Sequence, residues 1–131
     1  MRVIRTDKAP APVAGAPYSQ AMSAPAAGEI VYLAGQVPLV PGQSEITAEG
    51  IVAQTRQVMD NLFAVLAEAG GSPESIIKTT IYLTDLSHFA EMNTVYGEAL
   101  GGHAPARATV EVSALPLGAL VEREAVAILG G

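Results

Sequence analysis

Two charged residues in the last quarter of the chain are the strongest candidates for chemistry. Arg107 follows Pro105 and Ala106 at the start of a strand-like segment, and Glu122 follows Val121 within an apolar one. A guanidinium can bind a carboxylate through two parallel hydrogen bonds, so Arg107 is either an ordinary edge charge or a carboxylate clamp. Carboxylates are depleted within strands, and a carboxylate held there can activate a water as a general base. The residue types alone do not decide between a structural and a functional role for either side chain.

The composition argues against several other kinds of site. The chain has no cysteine, which excludes disulfides, thiol catalysis and Cys-ligated metals. His88 and His103 stand alone, without the paired spacing of a zinc site or the partners of a serine triad. The net charge is -6 with only 7 Lys and Arg residues, so we expect no nucleic-acid partner. We likewise expect no bound metal.

The hydropathy of the chain predicts no membrane association. No uninterrupted apolar run approaches the roughly 18 residues of a membrane span. The first ten residues, MRVIRTDKAP, lack the apolar stretch of a signal peptide. We therefore expect a cytoplasmic protein, and the length suits one domain over residues 1–131.

Hydrophobic periodicity predicts an α+β fold. Apolar residues recur at three- and four-residue steps over 48–69 and again over 87–100, which predicts two helices. Runs rich in Val, Ile and Thr predict six strands. The predicted strands are 2–5, 18–23, 30–36, 76–84, 106–115 and 120–129. This order predicts a mixed sheet with both helices on one face.

Alternation within the strands predicts which side chains lie beneath the helices. In the segment 106–115, we expect Ala108 and Val110 under the helices, and Arg107 and Thr109 on the opposite face. That opposite face is polar but mixed with Tyr and Thr. Such a face either packs against copies of the chain in an oligomer or contacts solvent.

The spacing of the two candidate residues predicts a site shared between subunits. If 106–115 and 120–129 pair as a hairpin, Arg107 and Glu122 are about 20 Å apart within one chain. If these strands are not neighbours, lateral distance separates the residues as well. One small ligand would then contact both side chains only if they came from different subunits.

Several segments resemble the RidA/YjgF family of reactive-intermediate deaminases. These are APYSQAM at 16–22, LAGQVP at 33–38 and PARATVEVSALPLGALVEREAVAI at 105–128. The interior stretch IIKTTIYLTDLSHFAEMNTVY is similar as well, so the resemblance covers essentially the whole chain. It implies a chorismate-mutase-like (YjgF-like) fold with a six-stranded mixed sheet. It also implies a homotrimer with sites between subunits, and no cofactor or metal.

The resemblance also implies a reaction and a set of site residues. The reaction is hydrolysis of 2-imino or 2-enamino acids, released by pyridoxal-phosphate enzymes, to 2-oxo acids and ammonia. Arg107 would bind the substrate carboxylate. Glu122 would orient the attacking water, together with the backbone carbonyl of Thr109. The other implied pocket residues are Tyr18, Asn93, Ala34 and Gly35, the last allowing the backbone to approach the ligand.

The chain departs from the family pattern in ways that leave substrate preference open. Ala34 and Thr109 stand where many active members have Ser and Cys. The loop 97–106 is shorter, which should leave the pocket more open or differently shaped. Arg123 stands where the family has an aliphatic residue. We expect it to face the helices and either to extend to a strand edge or to pair with a helix carboxylate.

Other functions remain open at this stage. One is a non-catalytic protein that binds 2-oxo acids or other small carboxylates as a sensor or regulator. Another is a 2-aminomuconate-type deaminase in a catabolic pathway. A ribonuclease is disfavoured by the acidic charge balance. The presence of Glu122 together with Arg107 in the motif favours an enzyme, since a sensor needs the clamp but not the base.

Overall fold

The computed structural model describes residues 1–130, and within them six strands and two α-helices alternate with short 3-10 turns. In chain order the elements are β1 (Arg2–Ile4), β2 (Ala21–Ser23), β3 (Glu29–Gln36), α1 (Gly50–Glu68), β4 (Ile76–Leu83), α2 (Phe89–Leu100), β5 (Ala106–Glu111) and β6 (Val121–Leu129). None of these helices combines the length and the apolar character needed to cross a bilayer.

The strands form two sheets. β1 and β2 pair antiparallel as a small ribbon, whereas the other four strands form one sheet in the order β3-β6-β4-β5. Within that sheet only β4 and β5 run parallel, and α2 connects them. The α+β fold with two helices on a mixed sheet is therefore confirmed, but its six strands are divided between two sheets.

Of the two arrangements considered for the last two strands, the hairpin does not form and the strands are not neighbours. β4 lies between β5 and β6, pairing parallel with the first and antiparallel with the second. Two neighbouring parallel strands need a long crossover connection, and α2 provides the one from β4 to β5. β5 thus lies at the edge of the sheet, on the side of β4 away from β6. The loop around Pro116 therefore carries the chain past β4 to β6.

One face of the four-stranded sheet is covered by the two helices. Thr79, Ile81 and Leu83 of β4 project towards them and are buried. The core between helices and sheet includes Leu33, Val58, Met59, Leu62, Leu66, Ile76, Ile81, Leu83, Met92, Tyr96, Val121, Ala125 and Ala127. We call this side the helix face, and the uncovered side the open face.

The predicted faces of β5 are wrong. In the parallel register Thr79 pairs with Arg107 and Ile81 with Thr109, so Arg107 and Thr109 project from the helix face. Ala108 and the 42 % exposed Val110 project from the open face. Alternation separates two sets of side chains but does not say which set is inside. At this sheet edge the helix face borders a cavity, and polar groups are tolerated there.

Candidate active site

A cavity of about 450 Å³ opens at the β5 edge of the helix face. Its lining residues come from the N-terminal segment, the start of α2 and β5: Val13, Tyr18, Leu86, Phe89, Arg107 and Thr109. Arg107 supplies the cationic group of this otherwise largely apolar wall. A pocket with apolar walls and few polar groups is typical of sites for small molecules.

The Arg107 guanidinium lies among three aromatic rings. Its Cζ atom is 5.1 Å from the ring centre of Tyr18, 5.6 Å from that of Phe89 and 5.0 Å from that of Tyr96. Such contacts stabilise a cation through the ring quadrupole. Burial lowers the pKa of Arg107, and the nearby tyrosines partly oppose that effect. The side chain is thereby held as a partly desolvated cation.

Both terminal nitrogens of Arg107 are buried and have no hydrogen-bond partner among the described residues. Buried polar groups are rarely left unpaired, because the lost hydration costs on the order of 1–3 kcal/mol per group. The two nitrogens form a planar fork of donors that matches the two oxygens of a carboxylate. The arrangement is therefore suited to bind a small acid.

The Tyr18 ring is positioned by an added strand-like segment. Ser19 forms a parallel bridge with Ala106 at the start of β5, and its backbone N–H donates to the Pro105 carbonyl at 3.2 Å. This pairing holds Tyr18 beside the adjacent Arg107. The two residues, which are far apart in sequence, are thus brought together.

Tyr18 and Gln20, on either side of Ser19, also hold the N-terminal loop, defined here as residues 5–16. The Tyr18 hydroxyl accepts a hydrogen bond from the Val13 N–H at 2.8 Å, and Val13 lines the cavity. The Gln20 side chain accepts from the Thr6 N–H at 2.7 Å and donates to the carbonyls of Thr6, Ala9 and Pro10. Sequence reasoning missed Gln20, although it belongs to the APYSQAM segment that carried the resemblance.

Thr109 and Asn93 contribute further polar groups on this side of the sheet. Thr109 lines the cavity two residues beyond Arg107, and its Oγ1 is buried without a partner in the described chain. Asn93 follows Phe89 by one turn of α2, and its Oδ1 is also buried and unpartnered there. Asn93 is outside the cavity lining, whereas Phe89 and Leu86, which were not predicted as site residues, are within it.

Glu122 belongs to a separate group of residues on the open face. It pairs with Tyr82 of β4, and its carboxylate packs against Gly35 of β3. A Cβ atom at Gly35 would lie 2.5 Å from Glu122 Oε2 and 3.0 Å from Cδ. Real Cβ atoms do not approach this closely, so the glycine makes room for the carboxylate. Ala34, next to Gly35, is exposed.

Tyr82 and Glu124 form a hydrogen-bonded pair beside Glu122. The Tyr82 hydroxyl donates to Glu124 Oε1 at 2.5 Å. This bond raises the pKa of Tyr82, and burial and the charges of both glutamates add to the effect. Within residues 1–130, no three His, Asp or Glu side chains gather as a candidate metal site.

Arg107 and Glu122 do not meet within one chain. Arg107 is in register with Thr79, and Thr79 with Ala125, three residues from Glu122 along β6. At about 4.8 Å between strands and 3.3 Å per residue, their Cα atoms are roughly 14 Å apart. Because Arg107 projects from the helix face and Glu122 from the open face, the sheet itself separates the two side chains.

Arg123 lies in the core, and both contacts expected for it are wrong. The residue is only 1 % exposed, so it does not extend to a strand edge. Its Nε donates to Thr79 Oγ1 at 2.7 Å, its Nη1 contacts Met59 Sδ at 2.5 Å, and its Cζ lies 4.6 Å from the Tyr96 ring centre. None of these contacts is a carboxylate. Burial lowers the pKa of Arg123 to about 10.

Comparisons with known proteins agree with the sequence resemblance. The family model described as Endoribonuclease L-PSP matches residues 7–129. A RutC family protein of Pyrococcus abyssi is 47% identical over 125 residues, which cover 95% of this chain and 94% of the relative. The mouse 2-iminobutanoate/2-iminopropanoate deaminase is 39% identical over 129 residues, covering 98% and 92%. A crystal structure of RidA from an Antarctic Psychrobacter species superposes with a TM-score of 0.74 at 43% identity, covering 98% and 100%.

Proposed function

Because the chain belongs to the endoribonuclease L-PSP family, which includes the RidA/YjgF reactive-intermediate deaminases, we propose that it hydrolyses 2-imino and 2-enamino acids. The products are 2-oxo acids and ammonia. The observation that supports this most directly is the forked, unpartnered Arg107 guanidinium in an aromatic cavity. The guanidinium provides two hydrogen-bond donors and a positive charge for the carboxylate of a small acid.

In this proposal Arg107 binds the substrate carboxylate through two hydrogen bonds. The Tyr18 and Phe89 rings fix the guanidinium and contact the carbon chain of the substrate. Thr109, which lines the cavity, offers hydrogen-bonding atoms for the imine nitrogen, whereas Asn93 lies outside the lining. Binding a substrate through its carboxylate fixes the adjacent imine carbon, and such positioning can lower a barrier by several kcal/mol.

The chemical step needs a positioned water and a base. A protonated imine carbon is already electrophilic, so water adds to it while Glu122 accepts the water proton. The resulting carbinolamine carries hydroxyl and amine on one carbon. Proton transfer from Glu122 to the nitrogen lets ammonia leave, and the carbon becomes the 2-oxo group as its hydroxyl proton passes back to the Glu122 carboxylate. Transfer of that proton to the departing ammonia gives ammonium and regenerates the carboxylate. The backbone carbonyl of Thr109 helps to orient the water. Water is consumed and no electrons are exchanged.

We further propose that Glu122 reaches the substrate from a neighbouring subunit of a homotrimer. The sheet separates Glu122 from Arg107 within one chain, so only a second copy can supply the base. The open face suits such an interface, since Tyr32 is 77 % exposed, Ile30 53 % and Val110 42 %. Ile30 and Tyr32 lie together on the β3 edge of this face and Val110 lies on the β5 edge. Exposed apolar side chains on an otherwise polar face commonly mark a contact with another chain.

The deaminase function is favoured over binding of 2-oxo acids without turnover. Gly35 gives up a side chain to accommodate the Glu122 carboxylate, a provision that carboxylate binding alone does not require. A ribonuclease activity, despite the name of the family model, is disfavoured by the net charge of -6 and by 7 scattered basic residues.

The test is ammonia release from imines generated in the assay. An amino-acid oxidase produces the 2-imino acid continuously, and the purified chain is added. We expect release faster than the spontaneous rate, and loss of that gain in Arg107→Ala. A wild-type rate equal to the spontaneous one with 2-iminobutanoate and 2-iminopropanoate would refute the proposal for these substrates.

A further inference from the structure

Two arginines flank one buried tyrosine ring. The Cζ atoms of Arg107 and Arg123 lie 5.0 and 4.6 Å from the ring centre of Tyr96, so they are no more than 9.6 Å apart. Arg107 borders the cavity, whereas Arg123 lies behind Tyr96 in the core. The site therefore has a second guanidinium directly behind its wall.

The second guanidinium has no compensating anion in its described contacts. It touches a hydroxyl, a thioether and a phenol ring, and its Nη2 is buried without a partner. Burying an unpaired charge is costly, and the lowered pKa of Arg123 reflects that cost. The nearby Arg107 adds like-charge repulsion. An aliphatic side chain would fill this core position without either penalty.

An anion in the cavity would offset both charges. Arg123 is almost fully buried, so its field is poorly screened by solvent and extends into the adjacent pocket. At about 10–12 Å and an effective dielectric near 20, a carboxylate bound by Arg107 gains on the order of tenfold in affinity from Arg123. The second carboxylate of a dianion gains a further, smaller factor, because it lies farther from Arg123.

We propose that Arg123 is a specificity-determining residue, which adds a buried positive charge to the Arg107 pocket and favours dicarboxylic over monocarboxylic imino acids. This rests on the proposed function, in which Arg107 binds a substrate carboxylate. Arg123 touches no substrate atom and acts only through its charge. The reaction that supplies the substrate would be one that releases an imine from an acidic amino acid.

The test compares ligands that differ by one charge. Dissociation constants for 2-oxobutanoate, a monoanion, and 2-oxoglutarate, a dianion, are measured by titration calorimetry on wild type, Arg123→Met and Arg123→Lys. Methionine matches the length of the buried stem, and lysine keeps the charge. Arg56→Met, which removes a charge from an exposed position of α1, is the matched control.

Arg123→Met should weaken 2-oxobutanoate about tenfold and 2-oxoglutarate several-fold more than that, so the preference for the dianion falls several-fold. Arg123→Lys and Arg56→Met should retain the preference. Unliganded Arg123→Met should also melt at a higher temperature than wild type, because an unpaired buried charge is gone. A purely structural role for Arg123 would lower stability and weaken both ligands equally.

The outcomes separate this inference from the proposed function. If Arg107→Ala weakens both ligands but Arg123→Met changes them by the same factor, the inference is wrong and the proposed function stands. If Arg107→Ala leaves both affinities unchanged, or wild type binds neither ligand, the proposed function and the inference both fail. If Arg123→Met does not fold, Arg123→Gln gives the same neutral comparison with a polar side chain.

Discussion

Arg107 and Glu122 project from opposite faces of one four-stranded sheet. Arg107 faces the helices at the β5 edge, and Glu122 faces outward from β6, with β4 between the strands. A substrate the size of a 2-imino acid cannot reach through a sheet to contact both. The two groups can act on one molecule only if two chains come together. Catalysis that uses both residues therefore requires an oligomer.

Replacing Arg107 should remove carboxylate binding. Loss of two charge-assisted hydrogen bonds costs about 3 kcal/mol, so Arg107→Ala should weaken 2-oxobutanoate roughly a hundredfold. Arg107→Lys should recover little, because an ammonium lacks the planar fork. Titration calorimetry measures both effects.

Arg56→Ala is the control for the change in net charge, since Arg56 is exposed on α1 and lies outside the cavity. Equal losses in Arg56→Ala and Arg107→Ala would mean that overall charge, and not the fork, binds the acid.

Gly35→Ala should impair turnover while leaving ligand binding by Arg107 intact. The added methyl would lie 2.5 Å from Glu122 Oε2, so the carboxylate must move. We expect kcat for imine hydrolysis to fall roughly tenfold or more, because displacement by about 1 Å misplaces the attacking water. The Kd for 2-oxobutanoate should change little.

Gly97→Ala is the comparison, since a Cβ there meets only Pro17, at 3.4 Å, and alanine favours the helix. Wild-type turnover in Gly35→Ala would show that the position of the Glu122 carboxylate does not matter for catalysis.

Gln20 should stabilise the N-terminal loop that borders the cavity. Gln20→Leu removes four hydrogen bonds to the backbone of residues 6–10. We expect faster amide exchange across residues 5–16 and binding weakened by roughly fivefold, about 1 kcal/mol. Hydrogen exchange by mass spectrometry measures the first effect. Exchange unchanged in that loop would refute this role for Gln20.

Tyr18→Phe separates the two functions of Tyr18. The ring that contacts Arg107 remains, but the hydroxyl that accepts from Val13 is lost. We expect Tyr18→Phe to loosen the loop without abolishing acid binding, and Tyr18→Ala to impair both. If Tyr18→Phe abolishes binding, the hydroxyl itself contacts the ligand.

The Tyr82–Glu124 pair should shift a tyrosine titration. Its hydrogen bond raises the pKa of Tyr82 above the usual 10.0. The bond thus stabilises the folded state below pH 10, and this contribution is lost as pH rises through the higher folded value. The ultraviolet titration difference between wild type and Tyr82→Phe reports this pKa. Glu124→Gln should move it back towards 10, and an unchanged midpoint would contradict the assignment.

Element types were readable from the sequence because periodicity reports local structure. The helix predicted over 48–69 is observed as α1, Gly50–Glu68, and the strand predicted over 76–84 is observed as β4, Ile76–Leu83. Three residues named from the family motifs, Tyr18, Arg107 and Thr109, line one cavity in the structure, and their roles there stay predictions. Those predictions depended on patterns within single segments.

The pairing of segments and the face of the sheet to which their side chains project could not be predicted from the sequence in the same way. Alternation in 106–115 gave two sets of side chains, but the choice of the inner face depended on the pairing with β4 and was predicted wrongly. Neither the division into two sheets nor the placement of β4 between β5 and β6 leaves a local signal. The ring contact of Arg123, in β6, likewise depends on Tyr96, which belongs to α2.

Activity of mixed oligomers is the most direct test of the shared site. We expect the Arg107→Ala and Glu122→Ala proteins to be inactive alone, and they are then mixed equally under conditions of subunit exchange verified by native mass spectrometry. In random trimers three quarters contain both chains, and one site of three in each is intact, so about one quarter of wild-type activity should return. The double variant mixed with Arg107→Ala should recover nothing. No recovery from the two single variants, despite demonstrated exchange, would contradict a site built from two subunits.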